Sequence, residues 1–194
     1  MAFSGTVRSV SVARATPVAI NGRKVMTAIA KRAVEIPVAV LPLGLEGDEQ
    51  ADLSVHGGLS KAVYAYPSEH YPFWRTVRAQ AGVSLWDEPL SPGSLGENLT
   101  LEGLVESQVW IGDVLRFPHC ALAVSEPRYP CFKLNAAMGF RHASKLMAQS
   151  AWCGFYLAVR EPGTLAAGEP FTIVPGAREV GIAELFRART TSAA

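Results

Sequence analysis

The chain is poor in cysteine, nearly free of net charge, and without any run apolar enough to cross a membrane. Each shortage excludes something. Three cysteines, Cys120, Cys131 and Cys153, are an odd number at wide spacing, which builds neither a disulfide framework nor a zinc-ligand pattern. A reducing, cytoplasmic setting is the simplest reading, and there a thiol stays free for chemistry. Lys and Arg number 18 against 17 Asp and Glu, a formal charge of +1, so no global positive field draws a nucleic-acid polymer or a membrane surface. Residues 1–15 lack the apolar centre of a signal peptide, because Arg8, Arg14 and several Ser and Thr interrupt them. The most apolar stretch, residues 33–45, carries Glu35, Pro37 and Pro42 and is no membrane span. No flavin or nicotinamide fingerprint and no Walker loop is present.

What is present suits one domain. Of 194 residues, 49% are hydrophobic and 18% charged, enough apolar material for a sizeable core. The 17 Gly and 13 Pro are scattered and punctuate many short apolar runs, the habit of a β-rich barrel or sandwich. Strands are expected at residues 5–12, 25–30, 36–41, 62–66, 97–100, 113–117, 121–125, 154–160 and 170–174, with a hairpin turn at Phe117-Pro118-His119-Cys120. Helices are few. One is expected to open at Pro67 and run to about Ala81, two shorter ones lie at 132–138 and 142–149 around Gly139, and a last one covers 180–187. The predicted architecture is mainly β with inserted helices: a domain over 1–175 and a short helical or disordered tail over 176–194.

The stretch ALAVSEPRYPCFKLN, residues 121–135, is the most informative. Pro127 and Pro130 hold Arg128 and Tyr129 extended, and Cys131 follows at the mouth of a short helix. Unpaired N–H groups there, with Arg128 and Lys133 near in sequence, favour the thiolate, the form that attacks or ligates. A soft thiolate is also what a soft or high-valent metal recruits. From the residues alone, Cys131 reads as readily as a small buried hydrophobe. Cys120 and Cys153 sit in or beside apolar strands without flanking cations and are left out of the site.

Two glycine-rich stretches could form anion-holding loops. In GLEGDEQADLSVHGGLSKAVYAYP, residues 44–67, Gly57 and Gly58 permit turns whose amides can cradle an anion, His56 can donate a hydrogen bond and Lys61 adds charge. The same residues also read as two hairpin turns. In PGSLGENL, residues 92–99, Asn98 could meet the edge of a heterocycle, or could merely cap the turn. Tyr64, Tyr66, Tyr71, Phe73 and Trp74 read as core packing rather than a base-stacking platform. His70, His119 and His142 lack metal-type spacing and read as surface or satisfied residues.

Taken in order, GLEGDEQADLSVHGGLSKAVYAYP, PGSLGENLTLEGL, IGDVLRF and SEPRYPCFKLN resemble the MOSC family, named for the C-terminal domain of molybdenum-cofactor sulfurases, over about residues 25–174. Their order is similar to the bacterial stand-alone branch linked to resistance to 6-hydroxylaminopurine. The resemblance implies a MOSC-type β-barrel and a molybdenum cofactor (molybdopterin), with Cys131 as catalytic cysteine and metal ligand. Its H-G-G, G-E-N and R-x-P-C positions fall on His56-Gly57-Gly58, Gly96-Glu97-Asn98 and Arg128-Tyr129-Pro130-Cys131. Lys61, Arg128 and Lys133 would then hold the pterin phosphate, and Asn98 joins the cofactor-binding set. The closing VGIAELFRARTTSAA resembles only the start of the helical bundle that follows the barrel in bacterial relatives.

The function this implies is a molybdenum-dependent oxidoreductase that removes hydroxyl oxygen from small N-hydroxylated substrates. Its electrons would come from a separate flavin/NAD(P)H-type reductase, and a homodimer is left open. The alternative is a sulfur carrier bearing a persulfide on Cys131. A third reading, a cysteine hydrolase pairing Cys131 with His56 or His142, has no local signature for its geometry.

Overall fold

The computed structural model describes residues 4–51 and 57–191. Among the described residues the strands are β1 (Ser4–Val12), β2 (Thr16–Ile20), β3 (Arg23–Thr27), β4 (Arg32–Val34), β5 (Val38–Leu41), β6 (Gly44–Leu45), β7 (Val63–Pro67), β8 (Leu99–Glu102), β9 (Val114–Arg116), β10 (Ala121–Pro127), β11 (Phe155–Glu161), β12 (Gly163–Leu165) and β13 (Pro170–Val174). The helices are α1 (Tyr71–Gln80), α2 (Phe132–Met138), α3 (Ala143–Ser150) and α4 (Ile182–Thr191). The order β13-β9-β10-β11-β7-β8-β1 closes on itself through β13–β1, giving a seven-stranded barrel, and β4 extends it from β1. Closure removes the free edges that an open sheet would expose. The fold is therefore β-rich with few helices, as the patterning implied.

Pairing is antiparallel except between β7 and β8, which a crossover carrying α1 connects, as parallel neighbours require. Strand β7 is buried at every residue, the pattern of a strand covered on both faces. Around it Trp74, fully buried, donates Nε1–H to Tyr66 Oη at 2.6 Å, and Tyr66 donates to the Trp152 carbonyl at 3.0 Å. Thus Tyr66 and Trp74 are core, Tyr71 and Phe73 pack against it partly buried, and Tyr64 is buried but also faces a cavity.

The hairpin at 117–120 forms, with Phe117 N–H donating to the Cys120 carbonyl at 3.0 Å between β9 and β10. Pro67 opens a helical segment as expected, capping a 3-10 turn, Ser68–His70, that runs straight into α1. It also ends β7, paired in parallel with Leu101, and α1 starts with Pro72 in its first turn, where a missing N–H costs nothing. His70 is buried, bonded to Glu106 at 2.7 Å and stacked on Trp152 at 4.5 Å. The strand expected at 25–30 stops at Thr27, and β2, β4, β6 and β12 go beyond the expected set. Helix α4 lies against β10 through fully buried Ile182 and Phe186. No helix among the described residues is long and apolar enough to cross a membrane.

Candidate functional site

At one mouth of the barrel, residues from six distant segments line a cleft of about 620 Å³, counting its open mouth. That is room for a small-molecule or cofactor head group. One wall is the end of β10 and the entry to α2, bringing Arg128, Cys131 and Lys133; the floor holds Tyr64 and Asn98; the far wall is Thr27 to Lys31 with Asp48 to Ala51.

Cys131 is the N-cap residue of α2, with extended backbone (φ −129°, ψ 173°) and no side-chain capping bond, so its thiol is turned to the cavity rather than spent on the helix. It is partly exposed, whereas Cys120 and Cys153 are buried. Burial pushes the Cys120 thiol up to about 12, with Glu169 and Glu161 adding to it, and burial holds Cys153 well above the ordinary range, with Glu106 adding to it. Alkylation of the native protein at about pH 8 should therefore label one thiol per chain rapidly, because thiolate and access are both required. Mass spectrometry should find that label gone in Cys131→Ser. A second thiol reacting at a comparable rate would contradict the assigned burial.

Arg128 is only 4% exposed. Its guanidinium lies 5.4 Å from the Tyr64 ring centroid, donates to Met147 Sδ at 3.4 Å, and is within hydrogen-bonding reach of Tyr156. Among the described residues no carboxylate forms an ion pair with it, and the groups that bear on its charge most strongly are Tyr64, Tyr156, Cys131 and Cys153. A guanidinium stays charged at any ordinary pH, so a buried cation stands beside the thiol with aromatic rather than acidic company.

The other expected residues are placed as follows. Lys61 lines the cleft and pairs with Glu126 at 3.7 Å. Lys133 lines it as well, and its Nζ reaches the Met26 carbonyl at 3.4 Å, tying α2 to the β2–β3 hairpin. Asn98 lines the floor, but its amide is already engaged: Oδ1 accepts from Tyr64 N–H at 3.1 Å and Nδ2 donates to the Ser11 carbonyl at 3.2 Å. One acceptor and one donor position remain on it. Gly58 takes φ 89°, ψ 179°, a backbone region essentially reserved for glycine, and its N–H donates to Gln50 Oε1 at 2.8 Å. Gly57 and Gly58 shape the loop leading to Lys61 without themselves lining the cleft. His56 lies outside the described residues. His142 is exposed, accepts from Arg141 Nε at 2.9 Å, and does not line the cleft.

Sequence reasoning singled out residues 44–67 and Gly96 but did not name Lys31, Asp48 or Gln50 as site residues. Gln50 joins two loops, its Nε2 donating to the carbonyls of Leu43 at 2.8 Å and Lys61 at 3.3 Å. Gly96 (φ +84°) has no room for a side chain, since a Cβ there would meet Ile29 Cγ1 at 2.8 Å. Lys31 and Asp48 form a buried ion pair. Beneath Gly96, buried Glu97 accepts from Gly93 N–H at 2.9 Å, Leu95 N–H at 3.0 Å, Thr100 Oγ1 at 3.1 Å and Tyr71 Oη. That carboxylate holds the turn that presents Gly96 and Asn98.

Comparison with known proteins gives this geometry relatives. The MOSC domain model matches residues 52–172. The chain is 39% identical to the uncharacterized protein YflK of Bacillus subtilis (strain 168) over 163 residues, covering 84% of this chain and 70% of YflK. It is 39% identical to protein YiiM of Escherichia coli (strain K12) over 159 residues, covering 81% of this chain and 68% of that protein. Among solved structures, YiiM from Geobacillus stearothermophilus superposes with a TM-score of 0.76 at 31% identity, over 97% of this chain and 85% of the other.

Proposed function

Since this chain belongs to the MOSC domain family, we propose that it binds a molybdenum cofactor through Cys131 and reduces N-hydroxylated compounds. Its electrons come from a separate flavin/NAD(P)H-type reductase. The observation that carries the reading is the pairing of a partly exposed thiol with the buried Arg128 cation at the head of an open cleft. A relative from Gibberella moniliformis (strain M3125 / FGSC 7600), 32% identical over 88% of this chain, is named a reductase, and this chain matches 30% of its length.

The donor set suits the cofactor. Among the described residues no three His, Cys, Asp or Glu side chains are grouped to hold a bare ion, whereas a metal that arrives in its own organic chelate needs only one protein thiolate. Cys131 supplies that soft ligand. Arg128, Lys61 and Lys133 all line the cleft and would hold the phosphate of the pterin, Arg128 by a planar fork matched to its oxygens. Asn98 keeps one donor and one acceptor for the edge of the heterocycle. When bound, the cofactor supplies the two-electron acceptance of an oxygen atom. The protein's part is to orient the N–OH group, screen it from bulk water and provide protons.

The test is elemental analysis of gently purified protein, followed by turnover of 6-hydroxylaminopurine with a flavin-type reductase as electron donor. The expected result is molybdenum near one per chain and formation of the corresponding amine. Protein free of metal after expression with abundant molybdate, yet carrying a transferable persulfide on Cys131, would replace this reading with that of a sulfur carrier.

A further inference from the structure

The far wall of the cleft holds an ion pair for which cofactor binding gives no use. Lys31 Nζ lies 2.5 Å from Asp48 Oδ1, and the two side chains are 8% and 7% exposed. Asp48 Oδ1 also accepts the Ala13 N–H at 2.8 Å, so the backbone fixes the carboxylate and the lysine is the adjustable partner. A buried pair of this kind is weak as a stabilising device, because desolvation offsets the attraction. Its position in the wall of a ligand-sized cleft therefore points to chemistry. Burial pushes the Lys31 ammonium below the ordinary lysine value, and the attraction and hydrogen bond of Asp48, with the charge of Glu97, only partly restore it.

Several other polar groups of the cleft hold their protons or are engaged elsewhere. Arg128 does not release its proton. Tyr64 and Tyr156 are pushed up by burial and hold theirs too tightly. Lys61 faces Glu126 across 3.7 Å, and Lys133 is turned onto the Met26 carbonyl.

We propose that Lys31, held by Asp48, is the proton donor for cleavage of the N–O bond in this cleft; the proposal rests on the N-hydroxy reductase reading. One N-hydroxylated amine takes up two electrons and two protons and gives the free amine and one water. The N–O bond breaks, one N–H and one O–H bond form, and both electrons come from the flavin-type reductase. Lys31 Nζ gives one proton to the nitrogen as the N–O bond breaks and becomes a neutral amine beside Asp48. The second proton comes from water, which also reprotonates Lys31.

The decisive variant is Lys31→Arg in the loaded enzyme, which keeps the charge and the reach to Asp48 but cannot release a proton. Turnover should fall about a hundredfold, with KM and molybdenum content retained. In Lys31→Ala, small primary amines should restore turnover in proportion to their concentration. A readout independent of turnover is acetylation of Lys31 by acetic anhydride in the native chain across pH, read by peptide mass spectrometry. Its midpoint should lie below 10.5, the ordinary lysine value, and lower still in Asp48→Asn. Native turnover in Lys31→Arg, or a midpoint at or above 10.5, overturns the proton donor and leaves the reductase reading standing. A wild-type enzyme inert toward every N-hydroxylated base overturns both.

Discussion

Replacing Cys131 with serine should bring molybdenum from near one per chain to background and lower turnover by more than about a hundredfold. The scale follows from metal sites in general, where loss of a group that merely orients a ligand already costs roughly 10- to 100-fold. Serine is nearly isosteric, but its oxygen stays protonated at neutral pH and is a hard donor, so it replaces neither the charge nor the softness of the thiolate. The variant is informative because its fold should not suffer. Cys131 is an N-cap with extended backbone and no capping bond, and serine is among the preferred N-cap residues, worth roughly 0.5–1 kcal/mol over a non-capping side chain. Thermal unfolding of the metal-free proteins should thus show the variant as stable as the parent or slightly more so. Metal retained by Cys131→Ser at parental occupancy would remove the cysteine from the ligand role.

The largest loss of stability is expected from Glu97→Ala. Its carboxylate satisfies two backbone N–H groups and two hydroxyls in a site with no exposure. Each buried donor left unmade costs about 1–3 kcal/mol; allowing for relaxation and the reorientation of hydroxyls, a loss of about 4 kcal/mol is the expectation. The urea midpoint would drop accordingly. Glu97→Gln keeps one acceptor oxygen, but sets an amide N–H2 against one of those donors, and should cost less than half as much. The pH dependence has a fixed sign. Burial raises the Glu97 carboxyl above its ordinary 4.5, although the hydrogen bonds from Tyr71 and the backbone pull the other way. A raised carboxyl contributes stability that is full below the unfolded value and is lost as pH rises through the folded one. The stability of the native chain relative to Glu97→Gln should therefore increase as pH is lowered from neutrality toward 4.5. An advantage that instead shrinks on acidification would show that the four donors outweigh the burial.

Half of the cleft was legible in the sequence. Cys131, Arg128 and Lys133 lie within six residues of one another between prolines and a helix start, so local chemistry marks them. Lys61 and Asn98 were marked by the glycines beside them. The opposite wall is marked only in part. Lys31 reads as an ordinary surface cation after a strand, and Asp48 as one acid in a loop. The fold brings them together, and the glycine-rich stretch around Asp48 announces a loop without announcing Lys31 as its partner. Asn98 shows the converse: a polar residue found through its motif proves to spend half of its amide's hydrogen bonds joining β1 to β7. The long strands and helices followed from their periodicity, whereas β4, β6 and β12 have three residues or fewer, too few for a period to register. Pro67 serves two elements at once, ending β7 and capping the 3-10 turn that leads into α1, and only the second role was legible.

Closure through β1 and β13 pairs Ser4 with Thr172, and this shapes how the protein must be made. The first strand leaves the ribosome while its second barrel neighbour is still most of a gene away, roughly ten to thirty seconds at ordinary elongation rates. During that wait the nascent chain carries an unmatched strand edge. Its sequence, SGTVRSVSV, sets an exposed arginine and several serines among the valines, the kind of interruption that discourages edge-to-edge association.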